Sequence, residues 1–161
     1  MADNVCIHGR TAAQRYEGRA DREIVAKAAR CFPGKIAASG DVRSPEDVRE
    51  YLDVGCVVVM LARGALANPW LFPESLRALG FEVAEELLDP SPERRGAELC
   101  RLGERARELC GARQAVVLLK RLMGGILKGM NGAAELRRRA GCATDLEELL
   151  EVFRLGMGSE S

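Results

Sequence analysis

With 161 residues, 47% of them hydrophobic and 30% charged, the chain has the composition of a globular protein of one domain or two small ones, and not of a disordered one. Its 24 Lys and Arg are balanced by 24 Asp and Glu, so any nucleic-acid binding has to come from a local patch and not from overall charge. The longest apolar runs, Val57–Ala62 and Ala115–Leu119, are far shorter than the ~20 residues of a membrane span. Asp3 and Asn4 precede only a three-residue apolar run, which is no signal peptide, so a cytoplasmic protein without membrane contact is expected.

The first half alternates strand and helix patterns. Val5-Cys6-Ile7 is a short apolar run that ends at His8-Gly9-Arg10-Thr11. Asp21 can cap a helix with apolar positions at Ile24, Val25, Ala28 and Ala29, and Phe32-Pro33-Gly34 ends it. Lys35 to Ser39 reads as a second strand, stopped by Gly40-Asp41. Ser44-Pro45-Glu46-Asp47 is a helix start, with Ser at the N-cap, Pro in the first helical position and acids in the first turn. That helix should run to about Asp53 and end near Gly55. Val57 to Leu61 follows as a continuous β-branched run, the pattern of a strand buried on both faces. It leads into Arg63-Gly64-Ala65 and then Asn68-Pro69-Trp70-Leu71-Phe72.

This β-α-β-α-β spacing predicts a parallel sheet. Each strand hands over to a loop of Gly and polar residues, which is where α/β folds place their sites. The boundaries expected are a strand-helix region over 1–80, an acidic linker over 81–92 with two prolines, and a helical domain over 93–161. Pro92 to Cys110 has Leu99, Leu102, Ala106 and Leu109 at helical spacing, and Thr144-x-x-Glu147 reads as a capping box opening a last helix.

The helix expected over Arg113 to Met130 is two-faced. At about 100° per residue, Arg113, Lys120, Arg121 and Lys128 share one arc. Leu118, Leu119, Leu122, Met123, Ile126, Leu127 and Met130 share the opposite one. Arg137-Arg138-Arg139 adds further positive charge. From the pattern alone, a solvated basic face and a phosphate-binding face both remain open.

Six cysteines (Cys6, Cys31, Cys56, Cys100, Cys110 and Cys142) include no CxxC pair, and His8 is the single histidine. No metal site is expected, and the cysteines should be reduced thiols packed mostly as small apolar residues.

Three motifs in series carry a resemblance. They are His8-Gly9-Arg10-Thr11 with Gln14, Tyr16, Gly18, Ala20 and Asp21; Ser39-Gly40-Asp41-Val42 with Ser44-Pro45-Glu46-Asp47; and Arg63-Gly64-Ala65-Leu66 with Asn68-Pro69-Trp70-Leu71-Phe72. In this order and spacing they resemble the sixth, seventh and eighth strand-loop units of the tRNA-dihydrouridine synthases. Lys120-Arg121, Lys128-Gly129 and Gly132 to Arg137 resemble that family's C-terminal helical domain. The resemblance implies an α/β fold: the last three units of a TIM (β/α)₈ barrel, then an all-helical domain.

It further implies FMN as cofactor, NADPH as hydride donor and tRNA as partner. His8, Ser39, Gly40, Asp41, Ala62, Arg63 and Gly64 would then face the flavin, with Gly40, Ala62 and Arg63 giving main-chain donors to its phosphate. Arg10, Arg113, Lys120, Arg121 and Lys128 would face RNA. Two positions depart from the family pattern: Ser39 replaces the usual Asn and Ala62 the usual Gly. Ser keeps a hydroxyl but not the amide's fork, and Ala keeps its N–H unless the backbone there needs a positive φ.

In the family a cysteine after the fourth strand gives the proton and a lysine on the fifth holds the flavin. On this alignment the chain begins at the sixth, so no catalytic residue is expected in it. Three strands from an eight-stranded barrel have open edges and an uncovered face, which a second copy or a separate N-terminal half would cover. Two other readings stay open: a tRNA-binding module without redox chemistry, and a fragment of another FMN barrel that acts on a small molecule.

Overall fold

A computed structural model describes residues 3–155 of the chain. Its internal contacts divide it into two units. One takes in the chain up to Ala65 together with Pro69–Leu88, and the other Leu66–Asn68 and the chain from Asp89. The acidic stretch after Phe81 is thus shared between the units rather than standing apart. It forms a 3₁₀ turn at Glu85–Leu87, and Glu85 pairs with Arg77 at 3.2 Å.

The first unit is built on a parallel sheet of β1 (Val5–His8), β2 (Ile36–Ser39) and β3 (Val58–Met60), in that spatial order. α1 (Arg22–Cys31) and α2 (Pro45–Asp53) connect the strands. Asp21 caps α1 by accepting the Glu23 and Ile24 N–H groups at 2.8 and 3.2 Å. Ser44 and Asp47 cap α2 reciprocally, with Pro45 in the first turn. After β3 come the short α3 (Arg63–Ala67) and α4 (Leu71–Ala78).

The register places Ile7, Ala38 and Val59 in one row, and that row packs against the buried Val25, Ala29, Val48 and Tyr51 of the helices. The rows Cys6–Ala37–Val58 and His8–Ser39–Met60 therefore share the other face. Val58 and Met60 are 46% and 48% exposed, so the strand expected to be buried on both sides is covered on one only. Three strands with helices on one face leave the opposite side chains in solvent, however β-branched the run. Ile24 also stands outside the core, which α1 reaches through Val25, Ala26 and Ala29.

The second unit holds α5 (Pro92–Cys110), α6 (Ala112–Ile126), α7 (Ala133–Cys142) and α8 (Leu146–Leu155). Leu99, Leu119, Leu127, Leu136, Leu149 and Phe153 are central to its core. Close packing is enforced at Gly103, where an added Cβ would lie 2.8 Å from side-chain atoms of both Leu119 and Leu150. α6 ends earlier than the periodicity suggests, with Leu127 as its C-cap and Gly129 at φ 79°. Leu118, at the edge of the apolar arc, is exposed. The last helix is capped by Asp145 and not by Thr144: Asp145 accepts the Glu148 N–H at 2.9 Å, while Thr144 donates its own N–H and hydroxyl to the Glu148 carboxylate.

Of the six cysteines Cys56 is buried and Cys100 half-buried, while Cys6, Cys31, Cys110 and Cys142 are exposed, contrary to the expected packing. Cys6 lies on the open sheet face, where its thiol is 3.1 Å from the Met60 sulfur. Among the described residues no group of His, Cys, Asp and Glu could hold a metal ion, and no helix is long and apolar enough to cross a membrane.

Candidate anion cleft and cationic helix face

The turn after β2 is the most constrained backbone in the first unit. Gly40 has φ 128° and Asp41 has φ 49°. An added Cβ at Gly40 would lie 2.8 Å from the Ala20 Cβ, so only glycine fits. The fully buried Tyr51 donates its hydroxyl to the Gly40 carbonyl at 2.9 Å and pins the turn from beneath.

Asp41 then acts as a hub. Its carboxylate accepts two bonds from the Arg10 guanidinium at 2.9 and 2.6 Å, and one from the Ala20 N–H at 2.9 Å. Arg63 approaches the same carboxylate at 3.4 Å and Arg43 at 3.9 Å. The hydrogen-bonded Arg10 guanidinium holds the Asp41 carboxyl below the usual carboxylate range. Arg10 also donates to the carbonyls of Glu17 and Gly18 at 3.2 and 2.7 Å, and its side chain is 3% exposed. It is therefore enclosed in the loop rather than turned outward to meet RNA.

The turn after β3 is drawn onto the same place. A Cβ at Gly64 would collide with the Val42 carbonyl oxygen, so the two loops touch through their main chains. Ala62 is not among the residues of positive φ, so the methyl that replaces the family's glycine imposes no backbone strain. His8, at the end of β1, accepts the Arg10 N–H on Nδ1 at 3.0 Å.

All seven residues that sequence reasoning placed at the cofactor line one small cleft: His8, Ser39, Gly40, Asp41, Ala62, Arg63 and Gly64. Val42, Arg43 and Met60 complete its wall. Asp41 is neutralised by Arg10, which leaves Arg43 and Arg63 as positive charge at the rim. Arg63 is steadied by the Tyr16 ring, whose centroid lies 4.4 Å from the guanidinium carbon. The cleft offers main-chain groups and two guanidiniums, which suits a phosphate-sized anion.

Sequence reading gave Tyr51 and Arg43 no part in the site, and named Tyr16 in a motif without a role. The signal for Tyr51 was a phenol on the apolar side of α2, since a buried tyrosine hydroxyl needs an acceptor. Nothing local marks Tyr16 as the platform for a residue 47 positions on.

Arg113 and Arg121 on α6 and Lys128 in the turn after it are exposed, and among the described residues none of them enters an ion pair. Lys120 is different. Its ammonium donates to the carbonyls of Gly141 and Ala143 at 3.0 and 2.8 Å and so caps the C-terminus of α7. Exposed Val117 stands among the cations instead. In the arginine run, Arg138 is paired with Glu135 at 2.6 Å.

Parallel β/α units whose strand ends converge on one small cleft, joined to a helical unit, define the class of β/α proteins whose sites lie at the C-terminal ends of their strands. A family model described as dihydrouridine synthase matches residues 2–156. The chain belongs to the dihydrouridine synthase family. It is 32% identical over 149 residues to a probable tRNA-dihydrouridine synthase of Aquifex aeolicus, an alignment that covers 91% of this chain and 45% of the relative. It is 30% identical over 135 residues to tRNA-dihydrouridine synthase B of Pseudomonas aeruginosa, covering 83% of this chain and 40% of that protein. A probable tRNA-dihydrouridine synthase of Treponema pallidum is 39% identical over 83 residues, which are 48% of this chain and 24% of the relative. The chain thus spans less than half the length of the curated relatives it matches.

Proposed function

We propose that these residues form the C-terminal part of a flavin oxidoreductase that reduces uridine in tRNA to 5,6-dihydrouridine. In this reading β1 to β3 are the last three strands of a TIM barrel. The cleft holds the phosphate end of FMN, and the helical unit helps to hold tRNA. The observation that carries the reading is the convergence of all seven family-matched residues on one cleft, with Gly64 enforced by the Val42 main chain and Gly40 by its positive φ and the Ala20 side chain.

When bound, FMN supplies the hydride chemistry, with NADPH as the source of electrons. The residues of this chain have a supporting part. Arg63 and Arg43 attract and orient the phosphate, and Tyr51 and Asp41 fix the turn that receives it. His8 stands at the strand end beside the cleft. No residue of the chain is assigned as proton donor, and the open sheet face is where the remainder of the barrel would lie. Mixed with a polypeptide that supplies the other strands, it should bind FMN at least tenfold more tightly than riboflavin, because charge-assisted bonds to the phosphate are worth about 1.5–3 kcal/mol. Arg63→Ala should shrink that ratio. Equal affinity for the two flavins in the wild-type chain would remove the phosphate site.

A further inference from the structure

Two adjacent glycines close α6, and the structure separates them. At Gly125 an added Cβ would lie 2.5 Å from the Cα of Ala67 and 2.7 Å from its carbonyl oxygen, so packing alone demands a hydrogen there. At Gly124 an added Cβ would meet nothing within 4 Å, and the residue is exposed in the last turn of the helix. Glycine is a poor helix former, so one that packing does not require lowers stability with no structural return. The other open glycine inside a helix, Gly141, lies in the last turn of α7 and gives its carbonyl to Lys120. Among the described residues, no contact of that kind explains Gly124.

Charge surrounds it instead. Helical spacing places Gly124 one turn after Arg121, Lys128 follows in the turn beyond the helix end at Ile126, and Val117 and Arg113 continue the same face toward the N-terminus. A partner helix seated on a glycine needs apolar neighbours to bury, and here Arg121 at i−3 and Lys128 just past the helix end are exposed cations. A polyanion needs the reverse: cations on either side and bare main chain between them. We propose that the phosphodiester backbone of the bound RNA crosses α6 at Gly124, where the missing side chain lets it lie against the helix main chain between Arg121 and Lys128. This rests on the RNA-binding reading above, and Lys120, tied to α7, has no part in it.

The test uses an unmodified tRNA transcript with the full chain and its Gly124→Ala and Gly124→Leu variants, following affinity by fluorescence anisotropy and stability by thermal unfolding. Both residues are better helix formers, so the unfolding midpoint should rise by about 2 °C. Affinity should fall in the opposite sense, about threefold for Ala and more than about tenfold for Leu, as the backbone is pushed away from its cations. A raised midpoint with unchanged affinity would overturn the proposal. So would a lowered midpoint, because Gly124 would then be serving the packing. If the wild-type chain bound no tRNA, the RNA-binding reading itself would fall and this contact with it.

Discussion

The cleft of the first unit and the α6 face of the second hold their arginines in opposite ways. In the first unit Arg10 is buried against Asp41 and Arg63 rests on Tyr16, so charge is fixed in place before any ligand arrives. On the second, Arg113 and Arg121 project from α6 and Lys128 from the turn after it, with no ion-pair partner among the described residues. Charge held by charge suits one small group in one geometry. Charge left loose on a helix suits a long polyanion, whose binding depends on counterion release and tolerates imprecise placement. Net charge, which is zero here, reports neither arrangement.

Breaking the fixed arrangement should cost most. Asp41→Asn keeps the side-chain shape and tolerates the positive φ, yet it leaves the Arg10 guanidinium enclosed without its counter-charge. We expect a loss of about 3 kcal/mol in denaturant unfolding. The same pair gives stability a pH dependence. Because the Asp41 carboxyl is held low when folded, its contribution is complete above the ordinary Asp value of about 3.9 and is lost as pH falls through the lowered folded value. The acid limb of the stability–pH curve should therefore flatten in Asp41→Asn.

Charge reversal at Arg121 or Lys128 should leave stability nearly unchanged, weaken tRNA binding several-fold, and reduce the slope of log affinity against log salt by about 1 each. Next in size, Tyr51→Phe removes the hydroxyl that holds the Gly40 carbonyl, at about 1–2 kcal/mol of stability. Lys120→Met should separate structure from binding on α6. It loses the cap on α7, costs about 1 kcal/mol, and leaves the salt slope of tRNA binding as it was.

What the sequence made legible was local. Ser44-Pro45 and Asp21 announced their helices because caps are matters of adjacent residues, and the three glycine loops were marked by their own motifs. The cleft was legible because those motifs came in series, each after an apolar strand. What stayed hidden depended on distant partners. Val58 and Met60 carry β-branched or apolar side chains whose cover is decided by how many layers the sheet has. Arg10 and Arg63 both follow strands in polar loops, yet one is enclosed and the other is at the rim. Lys120 shares the cationic arc with Arg113, but the end of α7 claims it. Gly124 and Gly125 are neighbours in the chain, and only the position of Ala67 tells them apart.

The central claim, that these residues complete a dihydrouridine synthase, is tested most directly by reconstitution. The chain would be mixed with the N-terminal portion of a full-length relative, FMN, NADPH and unmodified tRNA, and dihydrouridine would be measured in the recovered RNA. Dihydrouridine that requires both polypeptides and disappears with Gly64→Leu is the expected result. A pair that co-purifies and binds FMN but forms no dihydrouridine, while the intact relative is active in the same mixture, would contradict it.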